Sequence, residues 1–273
     1  IRNNDLVEIV PLSNGCLGSC TFCKTKHARG HLFSYPVEDV VRHVSKAVDY
    51  GAKEIWLTSQ DNSVYGKDIE TNLAELLRKI LSIRKDFKVR LGMGNPKHML
   101  EFLDELIWAF RDERVFKFIH IPVQSGSNAV LEKMKRDHSV EDFKYIVKRF
   151  REEIPEVTIA TDIIVGFPGE KKSDFDMTLD LIKEIKPDVL NRSKFWPRPD
   201  TPADSMKKVP GAEIKKRSSE LDKLFKKISK DRNGAWVGWK GNVFFSEEGK
   251  EIDGKKTYAG RNYTYKQVVV EST

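Results

Sequence analysis

Residues 15–23 read GCLGSCTFC and contain all three cysteines of the chain, Cys16, Cys20 and Cys23. Three residues separate the first pair and two the second, so one tight loop can direct all three sulfurs toward one point. Thiolates are soft ligands that suit iron–sulfur clusters and zinc. Because there is no fourth cysteine, a cubane cluster held here would leave one iron open to a small molecule. The stretch therefore predicts a metal centre with the three cysteines as its ligands.

Two other interpretations of the cysteines stay open at this point. A structural zinc site would combine the three thiolates with His27, because three cysteines and one histidine are a common zinc ligand set. The thiols would otherwise be ordinary buried apolar residues, although free cysteines rarely crowd this closely without a metal.

The composition limits the compartment and the partners. At 273 residues the chain is long enough for one α/β barrel or two unequal domains. No apolar run approaches the roughly 20 residues of a membrane-spanning helix, so we expect no membrane association and a cytoplasmic location, where thiols stay reduced. The formal net charge of +7 fits a polyanionic partner such as RNA, although solvated lysines also keep a protein soluble. The Lys and Glu content is typical of proteins from hyperthermophiles.

Strands and helices alternate along most of the chain. Apolar runs predict strands at 6–12, 54–59, 88–93, 116–123, 157–165 and 188–195. Helical spacing predicts helices at 36–48, 72–83, 97–110, 127–135, 140–152 and 172–185, with Asn72 and Glu75 as a helix start signal. Six strands separated by helices imply parallel β/α units, because parallel neighbours need a crossover connection. Each strand ends in a polar or glycine-rich cluster, and in a β/α barrel such clusters converge on one mouth.

The composition changes after Pro202. A basic helix is predicted within 209–232, with its cations on the polar surface, namely Lys215, Lys216, Arg217, Lys223, Lys226, Lys227 and Lys230. Its apolar side is formed by Ile214, Leu221, Leu224, Phe225 and Ile228. The helix is either a solvated linker or a nucleic-acid contact. Residues 233–273 are rich in strand and turn signals, at 234–245 and 258–270, and predict a small second domain.

The cysteine spacing, with Phe22 just before the last thiol, resembles the signature of the radical S-adenosylmethionine (SAM) enzymes. The resemblance implies a [4Fe–4S] cluster on Cys16, Cys20 and Cys23, with the amino and carboxylate groups of SAM on the fourth iron. It also implies an open, partial six-stranded β/α barrel over residues 1–208 and an electron-donor protein as partner. An electron from the cluster would cleave SAM reductively and give a 5′-deoxyadenosyl radical that takes a substrate hydrogen.

Longer motifs are similar to those of the methylthiotransferases. They are residues 24–30 (KTKHARG), 122–127 (PVQSGS), 161–170 (TDIIVGFPGE) and 195–203 (FWPRPDTPA). Residues 260–263 and 268–270 resemble the central part of the family's TRAM domain, an RNA-binding barrel. Residues 92–96 (GMGNP) and 191–195 (NRSKF) look most like the archaeal and eukaryotic tRNA branch. That branch converts N6-threonylcarbamoyladenosine (t6A) at position 37 of tRNA to its 2-methylthio derivative.

The chain departs from the family pattern at three points. It begins directly at the radical SAM core, without the family's amino-terminal domain, whose three cysteines hold a second [4Fe–4S] cluster. The TRAM-like tail stops at Thr273, short of its last strands, and Asp200 stands where the family usually has glycine. We therefore expect a monomeric fragment that is not competent for full methylthiolation. The alternatives are a ribosomal-protein methylthiotransferase, another radical SAM enzyme, or a non-catalytic RNA-binding module with structural zinc.

The resemblance assigns roles to residues around the barrel mouth. Phe22 would lie against the adenine of SAM, and the Gly166 turn would let backbone approach the adenosine. The donors and acceptors for the amino-acid and ribose parts of SAM would be Gln60, Gln124, Ser125 and Asp162. Asn95, Lys194 and Arg198 are assigned to the substrate, since a threonyl carboxylate or an RNA phosphate needs a cation. His120 is interpreted as a hydrogen-bonded strand residue and not as a ligand.

Overall fold

The structure, a computed structural model, describes residues 4–271. The ends of the two predicted domains, residues 1–3 and 272–273, lie outside this range. In chain order the elements are β1 (Val7–Pro11), β2 (Ser13–Asn14), α1 (Thr25–Arg29), β3 (Phe33–Ser34), α2 (Val37–Asp49), β4 (Glu54–Thr58), α3 (Leu73–Leu81), β5 (Lys88–Leu91), α4 (Pro96–Met99), α5 (Leu103–Phe110), β6 (Phe118–His120), α6 (Asn128–Lys133), α7 (Val140–Glu153), β7 (Thr158–Val165), α8 (Lys172–Ile185), β8 (Val189–Lys194), α9 (Gly211–Gly234), β9 (Phe244–Glu248), β10 (Thr257–Arg261) and β11 (Gln267–Glu271).

Six parallel strands follow one another in chain order. One sheet has the order β1-β4-β5 and another the order β6-β7-β8, and all four pairings are parallel. The two sheets are linked at Val89, whose amide donates to the Arg114 carbonyl (2.7 Å) and whose carbonyl accepts from the Phe116 amide (2.9 Å). The prediction of an α/β chain with parallel strands and crossover helices is confirmed.

The helices cover the strands with the apolar faces that their spacing predicted. Val40 and Val44 of α2 and Leu76 and Ile80 of α3 are buried in one continuous core. The start signal of α3 is also confirmed, because the Asn72 side chain accepts a hydrogen bond from the Glu75 amide. Burying these faces is the main favourable contribution to the fold, at about 25 cal/mol per Å² of apolar surface.

Several predicted boundaries were wrong for local reasons. The helix predicted at 97–110 is interrupted by a 3₁₀ turn at Leu100–Phe102, where Phe102 leaves helical backbone angles. The strand predicted at 116–123 is regular and in register with β7 only over Phe118–His120, and Pro122 just beyond it has no amide hydrogen to donate. The strand predicted at 234–245 was wrong at its start, since α9 extends to Gly234 and β9 begins at Phe244.

The prediction that Arg217 lies on the polar surface of α9 was wrong. The side chain is buried, and its Nη1 lies 2.7 Å from Glu170 Oε2 while its Nε lies 2.9 Å from Glu213 Oε1. Glu170 Oε2 also accepts from the Gly166 amide at 3.0 Å. The arginine thus joins α9 to the turn that follows β7. The helical spacing of charged residues could not predict this contact, because it depends on how α9 packs against the rest of the chain.

The last three strands form a separate antiparallel sheet of order β11-β10-β9. The sheet docks at the amino-terminal ends of the parallel strands, where the Lys117 amide donates to the Tyr263 carbonyl at 2.8 Å. The Tyr265 ring lies 4.8 Å from that of Phe116 and 5.3 Å from that of Phe118, between centroids. Across residues 4–271, no helix has both the length and the apolar composition to cross a membrane.

Candidate functional site

A cleft of about 670 Å³ opens at the carboxyl ends of β7 and β8, beside the cysteine loop. Six of the residues predicted for the site line it together: Phe22, Cys23, Gln124, Asp162, Lys194 and Arg198. The remaining wall includes Lys24, Asn191, Trp196 and Pro199. The carboxyl ends of parallel strands share one edge of a sheet, and this brings residues distant in sequence to one opening.

The cysteine loop is anchored from behind by Thr21. Its amide donates to the Met134 carbonyl at 3.0 Å, its hydroxyl donates to the Lys133 carbonyl at 2.9 Å, and its own carbonyl accepts from the Ala203 amide at 3.0 Å. Thr21 is buried, so these bonds replace those that water would otherwise make. The loop is therefore held against the carboxyl end of α6 and the segment that follows β8.

Two of the three sulfurs accept hydrogen bonds from backbone amides. The Gly18 amide donates to Cys16 Sγ at 3.2 Å, and the Thr25 amide donates to Cys23 Sγ at 3.3 Å. A Cβ atom at Gly18 would stand 3.4 Å from Cys16 Sγ and 3.7 Å from Cys20 Sγ, so these two sulfurs flank the glycine. Burial raises the pKa of the Cys16 thiol, and the nearby Asp61, Cys20 and Cys23 raise it further. Bound iron would favour the deprotonated form that this environment resists.

The donor set fits an iron–sulfur cluster better than a single zinc ion. Among the described residues, no three His, Cys, Asp or Glu side chains surround a point where one metal ion would fit. His27, the fourth ligand of the zinc interpretation, is exposed on α1. Amide donors to two of the sulfurs and an open cleft on one side suit a cluster with one iron left accessible.

Phe22 and Phe195 line one wall of the cleft, and Phe167 packs behind them. Phe22 meets Phe167 edge to face with 6.3 Å between ring centroids, and Phe167 meets Phe195 in the same way at 5.6 Å. Phe167 and Phe195 are buried, whereas Phe22 is partly exposed and lines the cleft. Phe22 is thus supported from behind and presents a surface on which a planar ring could stack.

Asp162 is the central polar group of the cleft. Its Oδ1 accepts from His120 Nε2 and from Asn191 Nδ2, each at 2.8 Å. The interpretation of His120 as a hydrogen-bonded strand residue is confirmed. Asn191 was missed as a site residue, although it lay within a quoted motif. The signal that would have found it is strand register, because Asp162 and Asn191 are directly paired in β7 and β8.

Gln124 has a strained backbone and an unused acceptor. Its φ of 75° is in the left-handed region, which non-glycine residues rarely adopt outside constrained sites. Its amide donates to the Asp162 carbonyl and its carbonyl accepts from the Ile164 amide, so the residue is tied to β7. Its Oε1 is buried and has no hydrogen-bond partner within residues 4–271. An orphaned acceptor at a cleft is a place for a ligand donor.

Lys194 and Arg198 bring positive charge to the open side of the cleft. Both side chains are exposed, and neither forms an ion pair with an acid in the described part of the chain. Lys24, in contrast, is engaged, because its Nζ lies 2.9 Å from Asp200 Oδ2 and donates to the Pro199 carbonyl. Asp200 adopts a φ of 63°, a conformation that glycine would reach without strain.

Six predicted site residues do not line this cleft: Cys16 and Cys20 of the cysteine loop, and Ser125, Asn95, Gly166 and Gln60. Ser125 accepts from the Ser127 amide, and Asn95 caps α4 by accepting from the Lys97 amide. Gly166 has a φ of 76°, and a Cβ there would meet Ile214 of α9 at 2.4 Å, so helix packing is one reason for this glycine. Gln60 keeps a buried Oε1 that no described residue partners. Their proposed contacts with ligands stay predictions.

Comparison with known proteins agrees with this geometry. The radical SAM superfamily model matches residues 10–182. A probable threonylcarbamoyladenosine tRNA methylthiotransferase of Archaeoglobus fulgidus is 46% identical over 99% of this chain and 63% of its own length. The corresponding protein of Pyrococcus horikoshii is 49% identical over 89% of this chain and 57% of its own length. The human threonylcarbamoyladenosine tRNA methylthiotransferase is 44% identical over 99% of this chain and 46% of its own length. The chain thus spans about half the length of the curated relatives it matches.

Solved structures of distant relatives share the fold. The radical S-adenosylmethionine methyltransferase TsrM of Kitasatospora setae, solved with cobalamin and a [4Fe–4S] cluster, has a TM-score of 0.60 at 19% identity, over 72% of this chain and 38% of that one. Coproporphyrinogen III oxidase of Escherichia coli, described as a radical SAM enzyme, has a TM-score of 0.59 at 14% identity. The match covers 94% of this chain and 67% of that one.

Proposed function

Since this chain belongs to the radical SAM superfamily, we propose that it is the radical SAM core of a tRNA methylthiotransferase. Its substrate would be t6A at position 37 of tRNA, and the product its 2-methylthio derivative. One observation carries the proposal. The cysteine loop lies beside a cleft with two cations, Lys194 and Arg198, that pair with no acid among residues 4–271. The names of relatives that are 44–49% identical support the substrate class.

The domain arrangement is part of the same proposal. Six consecutive parallel strands support an open, partial β/α barrel over residues 1–208. Residues 209–232 would be the linker helix, and the antiparallel sheet β9–β11 would belong to a TRAM-like RNA-binding domain at 233–273. We expect the complete protein to add a domain with a second [4Fe–4S] cluster, to use an electron-donor protein and to act as a monomer.

Cys16, Cys20 and Cys23 would hold the [4Fe–4S] cluster, which with SAM supplies the electron and the carbon radical for hydrogen removal from the substrate. The chain's own residues would position SAM beside it. Phe22 offers a ring face to the adenine, and the buried Gln124 Oε1 offers an acceptor to a hydroxyl or amino group. Gln60, Ser125 and Gly166 would complete the SAM site from the neighbouring strand ends.

Asp162 would act as an oriented acceptor. The N–H groups of His120 and Asn191 both donate to its Oδ1 and hold that atom in place. Oδ2 has no hydrogen-bond partner among residues 4–271 and can accept from an incoming ligand. A carboxylate that is already oriented loses little rotational freedom on binding, so its hydrogen bond contributes more to affinity.

Lys194 and Arg198 would bind the negatively charged part of the substrate. The threonyl group of t6A carries a carboxylate, and a guanidinium can bind a carboxylate through two parallel hydrogen bonds. Asn95 lies outside this cleft, and its proposed substrate contact rests on the motif alone. A ribosomal-protein substrate is the second candidate. Structural zinc on the cysteines is the third, and the exposure of His27 weighs against it.

The proposal is tested first by anaerobic reconstitution with iron and sulfide, followed by an assay for 5′-deoxyadenosine after addition of SAM and a strong reductant. We expect about four irons per chain for one cluster and formation of 5′-deoxyadenosine. Cys20→Ala should lose both, whereas an exposed control, Lys183→Ala, should keep both. Retention of one zinc per chain with intact SAM would overturn the proposal.

A further inference from the structure

Arg136 lies directly behind the cysteine loop. It follows α6, and its amide donates to the Leu131 carbonyl at 2.9 Å. The guanidinium Nη2 donates to the Pro122 carbonyl at 2.8 Å, and Nη1 lies 3.7 Å from Cys20 Sγ. The Nε atom is buried and has no hydrogen-bond partner in the described structure. The side chain is thus fixed at one end and directed at a thiol.

The backbone holds Arg136 and the cysteine loop together. Thr21 is bonded to the carbonyls of Lys133 and Met134, immediately before Arg136 in sequence. The separation between the guanidinium and Cys20 is therefore set by short, buried hydrogen bonds and not by a free side chain. Such a contact is maintained without the entropy cost of ordering a long surface side chain.

The charge of Arg136 is not neutralised by a neighbouring acid. No ion pair joins Arg136 to a carboxylate within residues 4–271, and the adjacent Asp137 pairs instead with Lys97, at 3.1 Å. A partly buried cation is screened less than an exposed one. Its field acts on whatever negative charge accumulates at Cys20.

We infer that Arg136 is a positioning and tuning residue for the iron–sulfur cluster, which it would hold and make easier to reduce through the Cys20 thiolate. The inference rests on the proposed function, because it requires a cluster on the three cysteines. Reduction adds one negative charge to the cluster, and a fixed cation beside a ligand sulfur stabilises the reduced form. Net charge and hydrogen bonds to sulfur are among the factors that set cluster potentials.

The test is a redox titration of the reconstituted full chain, followed by electron paramagnetic resonance of the reduced cluster. Arg136→Gln should disfavour reduction about tenfold, which is a midpoint potential about 59 mV lower for a one-electron couple. Arg136→Lys keeps the charge and should retain most of the parent potential. Arg78→Gln removes an exposed charge on α3, far along the chain from the loop, and should leave the potential unchanged.

Each outcome separates the alternatives. An unchanged potential in Arg136→Gln at full iron content would overturn the inference. If neutral variants, including Arg136→Met, take up no cluster while Arg136→Lys does, with circular dichroism unchanged, the requirement for charge is supported. Equal loss of cluster in the Lys and neutral variants would instead assign Arg136 a packing role only. A parent chain that assembles no cluster would refute the proposed function itself.

Discussion

At the scale of single residues, the cleft combines groups whose hydrogen bonds are complete with groups whose bonds are not. Asp162 is oriented by His120 and Asn191, whereas Gln124 keeps a buried acceptor without a partner. Within residues 4–271, Lys194 and Arg198 form no ion pair with an acidic side chain. Because a folded chain satisfies most of its buried polar groups internally, the unsatisfied ones indicate where a ligand would bind.

Arg198 gives the first prediction. Arg198→Gln should weaken binding of an anticodon stem-loop that carries t6A by roughly tenfold or more, since a hydrogen bond to a charged group contributes about 1.5–3 kcal/mol. Binding of the same stem-loop with unmodified adenosine should change less. Fluorescence anisotropy with both RNAs measures the difference, and Lys183→Gln, an exposed cation on α8, is the control. Equal weakening for both RNAs would assign Arg198 to the phosphate backbone instead of the modification.

His138 gives a pH prediction at the same scale. Burial, together with the nearby charge of Arg136, lowers the pKa of His138 to about 4. In the unfolded chain the pKa is about 6.5, so the unfolded state takes up the proton first as the pH falls. The free energy of unfolding is therefore unaffected by protonation of His138 above about pH 6.5, and it decreases as the pH falls from 6.5 towards 4. The loss is about 3 kcal/mol at 1.36 kcal/mol per pH unit.

Urea unfolding of parent and His138→Gln, prepared in the same cluster state, should therefore show a steeper loss of stability in the parent between pH 6.5 and 4. The variant can be less stable at every pH and still satisfy the prediction. Proton uptake by the histidine affects only the slope of the free energy of unfolding against pH. Parallel pH profiles for the two proteins would contradict it.

At the scale of elements, the position of α9 depends on one buried ion pair. Arg217 reaches from α9 to Glu170, whose carboxylate also accepts from the Gly166 amide. The Cβ side of Gly166 is filled by Ile214 of the same helix. The helix thus supports, from outside, the turn that carries the predicted adenosine contact.

Arg217→Ala should destabilise the chain by about 3–5 kcal/mol, because it leaves Glu170 buried and unpaired. Burial already raises the pKa of Glu170 despite the arginine. Losing the arginine raises that pKa further, so protonation relieves part of the loss as the pH falls. Denaturant unfolding at pH 8 and pH 5 should show a larger effect at pH 8. Lys216→Ala, an exposed neighbour on α9, should change stability by at most about 0.5 kcal/mol.

At the scale of the whole molecule, the carboxyl-terminal sheet closes the end of the parallel strands that lies opposite the cleft. Tyr265 packs against Phe116 and Phe118, and the Arg90 guanidinium lies 5.8 Å from its ring centre. Burial raises the pKa of Tyr265, and nearby Glu54 raises it further. The sheet is joined to the parallel strands by these ring contacts and by the hydrogen bond from the Lys117 amide to the Tyr263 carbonyl.

Tyr265→Ala should detach this sheet, since it removes the contacts of a partly buried ring with Phe116 and Phe118, at a cost of up to about 3 kcal/mol. Hydrogen exchange of β9, β10 and β11 should rise, and proteolysis between Ala235 and Val243 should become faster, while the parallel strands stay protected. Tyr265→Phe keeps the packing and should change exchange far less. Tyr258→Ala, an exposed tyrosine on the same sheet, is the matched control. Unfolding of both parts together would show that they form one cooperative unit.

Most of the secondary structure was predictable, because apolar periodicity and caps are local signals. The alternation of strands and helices, the start of α3 at Asn72 and the buried faces of α2 and α3 all follow from neighbours within a few residues. Local signals were insufficient where a helix is interrupted at Phe102 and where α9 extends to Gly234.

The sequence by itself determined the cysteine spacing, the parallel α/β class and the motifs that relate the chain to its family, since these depend only on the order of residues. Only the tertiary structure decided which polar residues share a cleft. Asn191 joins Asp162 through strand register, Arg136 reaches Cys20 through the packing of α6 on the cysteine loop, and Arg217 is buried by the docking of α9. These contacts link residues far apart in the chain, and their energies depend on burial and distance, which exist only once the chain is folded.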